Sequence, residues 1–198
     1  EASVLCVLPG SRATEITRLL PVFGETLKRL VPCFEELHVV VPAVPAMVGR
    51  IESATTNWPQ PITLLRDEKE KFHAFAAATA ALAASGTVSL ELAMAGVPMA
   101  IAYRMNPLTA WLARRLVRVK YASLINLLLD YGAIPEFLQK DCRPEPLART
   151  LETLLTDAPA REEQRAAFAK ALAMIGQGEE PPSLKAARLV LGHVKKPR

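Results

Sequence analysis

Two short stretches of this chain carry residue types suited to gripping an anion. Leu82 to Glu91 reads Leu-Ala-Ala-Ser-Gly-Thr-Val-Ser-Leu-Glu. This is the end of an apolar run, a tight Ser85-Gly86-Thr87 turn, and the first turns of a helix carrying Glu91. A helix start points several unpaired backbone N–H groups at one spot, with partial positive charge behind them, and a diphosphate binds there readily. Thr87 and Glu91 are four apart and share a face in a helix. A hydroxyl near the phosphates and a carboxylate one turn on, about 5 Å along the axis, suit a nucleotide, with its ribose hydroxyls on Glu91. The same ten residues also fit an ordinary strand–helix junction with Ser85 or Thr87 as N-cap and Glu91 in solvent. The second stretch is Pro9-Gly10-Ser11-Arg12, followed by Glu15. A small loop with backbone amides and an arginine fork can neutralise a diphosphate bidentately. It is neither GxGxxG nor a GK[ST] loop, so neither a dinucleotide fingerprint nor a Walker site is indicated. Arg12 equally fits a solvated arginine at a helix start, and Glu15 a first-turn carboxylate favoured by the helix dipole.

Both stretches need strands to hang from. Val4 to Leu8 is a continuous apolar run, the mark of a central parallel strand covered on both faces. A helix follows whose apolar stripe is Ile16, Leu19, Leu20, Phe23, Leu27 and Leu30, spaced by three and four, and Pro32 closes it. Leu37 to Val41 reads as a second strand, Pro45 to Ala54 as helical, and Ile62 to Leu65 as a third strand. Lys69 to Ala78 reads as a helix, Ala80 to Ala84 as the fourth strand, and Thr87 to Ala95 as a helix stopped by Gly96-Val97-Pro98. Met99 to Tyr103 is the fifth strand. Such alternation implies right-handed crossovers and an α/β fold with a doubly wound parallel sheet, Rossmann-like. Ligands then bind outside the carboxyl ends of the strands, near the switch point. Beyond Tyr103 strand signals stop. Helical patterns occupy Pro107 to Val119, Ser123 to Asp130, Pro135 to Gln139, Pro144 to Leu155, Ala160 to Ile175 and Ser183 to Val194. Residues 1–175 are expected to form one domain, and 176–198 a joint and C-terminal helix.

Composition narrows the function classes. With 198 residues, 51% hydrophobic and 22% charged, the chain has the profile of a globular protein with one sizeable core. Cys6, Cys33 and Cys142 are scattered and lack CxxC spacing, so neither a disulfide framework nor a zinc site is indicated, and a reducing cytoplasm is expected. Residues 74–90 carry no charge, but a membrane span needs roughly 20 apolar residues, and Ser, Gly and Thr interrupt this run. No acidic residue occurs from Leu92 through Leu129, whereas Arg104, Arg114, Arg115, Arg118 and Lys120 are basic. The pattern around Trp111 fits an amphipathic helix docked on the sheet, or a contact with anionic lipid headgroups. Nucleic acid is not expected, because interleaved aromatics and reader motifs are missing. Asn126 stands alone in an apolar run and must be hydrogen-bonded if buried, either to a local turn or to a polar ligand. The histidines have no Ser or Cys partner at readable spacing, and no cluster indicates a metal.

Together these motifs resemble the C-terminal, donor-binding half of lipid-A-disaccharide synthases, glycosyltransferases with the two-domain GT-B architecture. The resemblance is carried by Leu8-Pro9-Gly10-Ser11-Arg12 with Glu15, by Leu82 to Thr87 with Leu90-Glu91, and by Tyr103-Arg104-Met105-Asn106-Pro107. It continues through Trp111 to Val117, Ser123-Leu124 with Asn126-Leu127, and Pro135 to Gln139. Ile125 departs from the pattern, which has Pro there. The resemblance implies transfer of 2,3-diacylglucosamine from its UDP donor to 2,3-diacylglucosamine 1-phosphate, with inversion and without a cofactor or bound metal. It assigns the diphosphate to Arg12 and the Ser85-Gly86-Thr87 amides, with Gly10, Ser11 and Glu15 beside them, and the ribose to Glu91. Asn126 would lie near the donor, while Arg104 and the basic helix 107–120 would face acceptor phosphate or the cytoplasmic side of the inner membrane of a Gram-negative bacterium. The general base and acceptor site are expected in an N-terminal half not contained here, so the chain alone is expected to be inactive. The final helix is expected to dock on that half or on a second copy in a homodimer. Two alternatives stay open: another GT-B UDP-sugar enzyme, such as a UDP-N-acetylglucosamine 2-epimerase, and a non-catalytic interaction module.

Overall fold

A computed structural model describes residues 2–106, 120–176 and 182–194. Its centre is a six-stranded, wholly parallel sheet in the order β3-β2-β1-β4-β5-β6. The strands are β1 (Ser3–Leu8), β2 (Leu37–Pro42), β3 (Ile62–Leu65), β4 (Ala80–Ala84), β5 (Met99–Tyr103) and β6 (Glu136–Leu138). The helices are α1 (Ala13–Leu30), α2 (Val48–Thr55), α3 (Glu68–Ala77), α4 (Val88–Met94), α5 (Leu124–Leu129), α6 (Pro144–Thr156), α7 (Ala158–Met174) and α8 (Pro182–Val194). Five strands match the expected ranges within a residue or two, as do most of the helices. The expected helix over 107–119 lies outside the described residues, as does 177–181 of the expected joint.

The apolar periodicities explain the two layers. The α1 stripe is buried throughout, against β1, β2, β4 and the α6 side chains Leu147, Leu151 and Leu154. Its six side chains contribute roughly 1.5–3 kcal/mol each by leaving water, as an upper estimate. That outweighs the interior Pro21, which costs about 3 kcal/mol in a helix, so the helix runs through it. On the opposite face, Phe75 of α3, Leu92 of α4, Ile125 of α5 and Phe168 of α7 pack on Cys6, Ala81, Ala83 and Ile101. The alanine-rich β4 is buried along its whole length, and its small side chains leave room for helices on both sides. Gly96, at φ +69°, takes the left-handed conformation that ends α4, and Val97 N–H returns to Leu92 O at 2.9 Å.

One expectation is corrected. Pro135 to Gln139 is not a helical piece: Glu136–Leu138 pairs parallel with Ile101–Tyr103 as an edge strand, followed by a 3-10 turn. Three residues are too short for a periodic signal, and the free edge of β5 supplies the pairing. Pro135, which has no N–H to give, accepts from Ile101 N at 2.9 Å. Asn126 anchors this strand: its Nδ2 donates to Ile134 O (2.8 Å) and Glu136 Oε1 (2.7 Å), and its Oδ1 accepts from Ile134 N (2.8 Å). Glu136 also accepts from Ala122 N (2.7 Å) and Ser123 N (2.9 Å), tying the loop before α5 to the same edge.

Asn126 and Ile134 are each 1% exposed, so Asn126→Ala leaves two backbone groups buried without partners. A loss of about 2–4 kcal/mol is expected in urea unfolding, and a loss below about 1 kcal/mol would refute the anchoring role. Burial also pushes the Cys6 thiol from 9.0 up to about 12. Below pH 9 both folded and unfolded thiols stay protonated and the contribution is fully present. Above it the unfolded thiol ionises first, so stability falls as pH rises toward 12. Thiol labelling at pH 8 is expected to mark the exposed Cys33 quickly and the buried Cys6 and Cys142 only on unfolding. Rapid labelling of Cys6 in the folded chain would contradict this burial.

Candidate functional site

The strand order reverses between β1 and β4. The chain leaving β1 turns to α1 on one face, and the chain leaving β4 turns to α4 on the other. A crevice therefore opens above their carboxyl ends. It is a cavity of about 770 Å³, within the range of small-ligand sites. Gly10, Ser11, Arg12, Glu15, Ser85, Gly86, Thr87 and Glu91 all line it. Arg104 and Asn126 do not. Arg104, just past β5, donates through Nη2 to Cys142 O, and Asn126 is committed to β6.

The first loop is built around an internal carboxylate. Glu15 Oε2 accepts from Ser11 N (3.3 Å) and Arg12 N (3.4 Å), while Oε1 accepts from Arg12 Nη1 (2.9 Å). Gly10 makes this possible in two ways. Its φ is +106°, and a Cβ there would stand 2.5 Å from Glu15 Oε2. The Ser11 and Arg12 amides thus face Glu15, and the loop offers a ligand mainly the Arg12 guanidinium. That side chain is 76% exposed and keeps most of its donors.

The second loop is opened differently. Ser85 N–H continues the sheet ladder to Ala102 O (3.1 Å), and its hydroxyl donates to Ala122 O (3.1 Å). Both of its hydrogens are spent, so Ser85 lines the cavity without offering the amide expected of it. The N–H groups of Gly86, Thr87 and Val88 take no protein partner among the described residues. Gly86 has ordinary backbone geometry and nothing within 4 Å of where a Cβ would stand, so the protein's own packing does not demand glycine there.

Three further lining residues, Arg66, Asp67 and Lys71, were not singled out from the sequence. The signal existed: β3 ends at Leu65, so Arg66 and Asp67 must emerge at the same rim. Asp67 caps α3, accepting from Lys69 N at 3.0 Å. Each lining cation has a carboxylate beside it: Arg12 meets Glu15, Arg66 meets Glu52, and Lys71 Nζ lies 2.8 Å from Glu91 Oε2. The Arg12 and Arg66 pairs are exposed on the arginine side and worth only about 0–1 kcal/mol, whereas the Lys71–Glu91 contact is largely buried. Amides without protein partners, an exposed arginine fork and the Glu91 carboxylate thus stand at one cavity.

A family model described as lipid-A-disaccharide synthetase matches residues 1–188. The lipid-A-disaccharide synthase of Rhodospirillum centenum is 48% identical over 196 residues, which are 99% of this chain and 49% of that protein. The corresponding enzyme of Paramagnetospirillum magneticum is 45% identical over 197 residues, 98% of this chain and 50% of that protein. The chain therefore spans about half the length of the curated relatives it matches. Among solved structures, a spinosyn rhamnosyltransferase complexed with thymidine diphosphate superposes with a TM-score of 0.58 at 13% identity, over 87% of this chain and 42% of that one. At that identity the likeness concerns the fold, which is that of GT-B glycosyltransferases.

The Gly10–Glu15 packing is testable by a double-mutant cycle. Gly10→Ala is expected to cost about 2–3 kcal/mol, of which about 1–2 kcal/mol is the left-handed backbone. The remainder is overlap with Glu15 and should shrink in a Glu15→Ala background, which removes Oε2 at 2.5 Å and leaves only the Cβ at 3.0 Å. Equal costs in both backgrounds would mean that Glu15 does not occupy the space in front of Gly10.

Proposed function

The chain belongs to the lipid-A-disaccharide synthetase family, and from that premise we propose that it is the donor-binding half of such an enzyme. The reaction is transfer of 2,3-diacylglucosamine from UDP-2,3-diacylglucosamine to 2,3-diacylglucosamine 1-phosphate, with inversion and release of UDP. One observation carries this reading: the loops after two adjacent strands converge on a single cavity whose free donors suit a diphosphate. Arg12 and the amides of Gly86 and Thr87 hold the phosphates, and Glu91 takes the ribose hydroxyls. Those donors also stabilise the charge that builds on the leaving UDP, and being held in place beforehand they need little reorganisation.

Because the chain spans half of its relatives' length, the acceptor site and general base are assigned to the other half, which closes over the cavity. Without it water enters and no base is positioned, so turnover by this chain alone is negligible. Leu184, Leu189, Val190 and Leu191 of α8 are each more than half exposed. This supports residues 176–198 as an appended joint and helix that dock on the other half or on a second copy. The basic run from Arg104 to Lys120 supports delivery of the lipid acceptor from an anionic membrane surface on the cytoplasmic side. No helix among the described residues is long and apolar enough to cross a membrane.

Isothermal titration of UDP tests the donor site. Binding is expected, and Arg12→Ala and Glu91→Ala should each weaken it roughly 10- to 100-fold, the equivalent of one or two charge-assisted hydrogen bonds. A folded sample showing no heat at millimolar UDP would sink the assignment.

A further inference from the structure

We propose that Lys71 sets the sugar preference of the cavity by orienting Glu91, so that the site takes a ribonucleoside diphosphate over its 2′-deoxy counterpart. This rests on the donor-site reading above. Lys71 is on α3 and Glu91 on α4; both line the cavity, and their side chains meet at 2.8 Å. The ammonium also stands 4.7 Å from the centre of the Phe72 ring, a second attraction that holds it in place. Glu91 Oε2 is buried and has no hydrogen-bond partner, so its contact with Lys71 is an ion pair outside hydrogen-bond geometry. The Glu91 side chain is nevertheless 36% exposed and lines the cavity, so its exposed part is other than Oε2.

A carboxylate is flat. With one oxygen buried against an ammonium, the other is presented in one direction. Each carboxylate oxygen accepts two hydrogens, so the presented oxygen can receive both members of a vicinal diol, the pair a ribose offers at its 2′ and 3′ positions. A 2′-deoxy sugar fills only one of those directions, and a site built for a hydroxyl rejects an analogue lacking it. Without Lys71 the carboxylate remains but is free to turn, and it follows a single hydroxyl nearly as well as a diol. The contact itself is buried, with the Lys71 side chain 20% exposed, so removing the ammonium also leaves Oε2 without its counter-charge.

Titration of UDP and 2′-deoxyuridine 5′-diphosphate into the unmodified chain and into Lys71→Met, Lys71→Arg and Glu91→Ala tests this. The unmodified chain is expected to prefer UDP about tenfold, one hydrogen bond to a charged group. Lys71→Met should shrink the preference to about threefold or less in a sample that still folds, and Lys71→Arg should restore it. If Lys71→Met weakens both ligands equally and keeps the ratio, Lys71 serves the phosphates and the proposal is overturned. UDP binding without preference in the unmodified chain overturns it too, while leaving the donor site intact. No UDP binding at all removes the donor-site reading and this proposal with it. Should Lys71→Met fail to fold, Glu91→Ala decides the same question, since a preference that survives loss of the whole acceptor excludes orientation of this carboxylate as the cause.

Discussion

The parallel pairing of β1 with β4, Leu5 to Leu8 against Ala80 to Ala83, is the constraint on which the rest depends. These strands are distant in sequence, and they send their following helices to opposite faces of the sheet. Two loops that diverge from adjacent strands must leave a crevice between them. The small side chains of β4 let helices from both layers approach closely, so the crevice has rigid walls. Lengthening either helix or loop would change its depth, but only a different strand order would abolish it.

Within that frame, carboxylates do much of the local organising. Glu15 gathers two consecutive amides and an arginine in the first loop, and Glu136 gathers the amides of Ala122 and Ser123 with the side chain of Asn126. In both cases an acceptor-only group settles several donors that would otherwise lie without partners. The consequence for function is selective. Donors taken in this way are closed to a ligand, and those left over at the cavity include Arg12 and the amides of Gly86 and Thr87. Ser85 shows the distinction within one residue: it lines the cavity, yet its amide belongs to the sheet and its hydroxyl to the carbonyl of Ala122 in the loop before α5.

Much of this is legible in the sequence. The continuous apolar runs of β1 and β4 mark central strands because both of their faces are covered. The three-and-four spacing from Ile16 to Leu30 marks a helix because it is long enough to show its period. β6 is not legible: Glu136, Phe137 and Leu138 form a strand only because β5 offers an edge, and three residues carry no period. Arg66 and Lys71 escape notice because neither sits in a glycine-rich turn. They reach the cavity only because the sheet order lays β3 at the same rim.

What the chain's own order of residues determined was every strand but β6, most of the helices, the two rim loops and the family, since these depend on local periodicity, turn chemistry and motif order. What only the tertiary structure decided was the partner of each donor and acceptor. Asn126 belongs to the β6 edge, the Ser11 amide to Glu15, and Lys71 to Glu91. The reason is physical. A hydrogen bond or ion pair is settled by distances of a few ångströms between atoms that can lie any number of residues apart along the chain, and only the packed sheet brings them into reach.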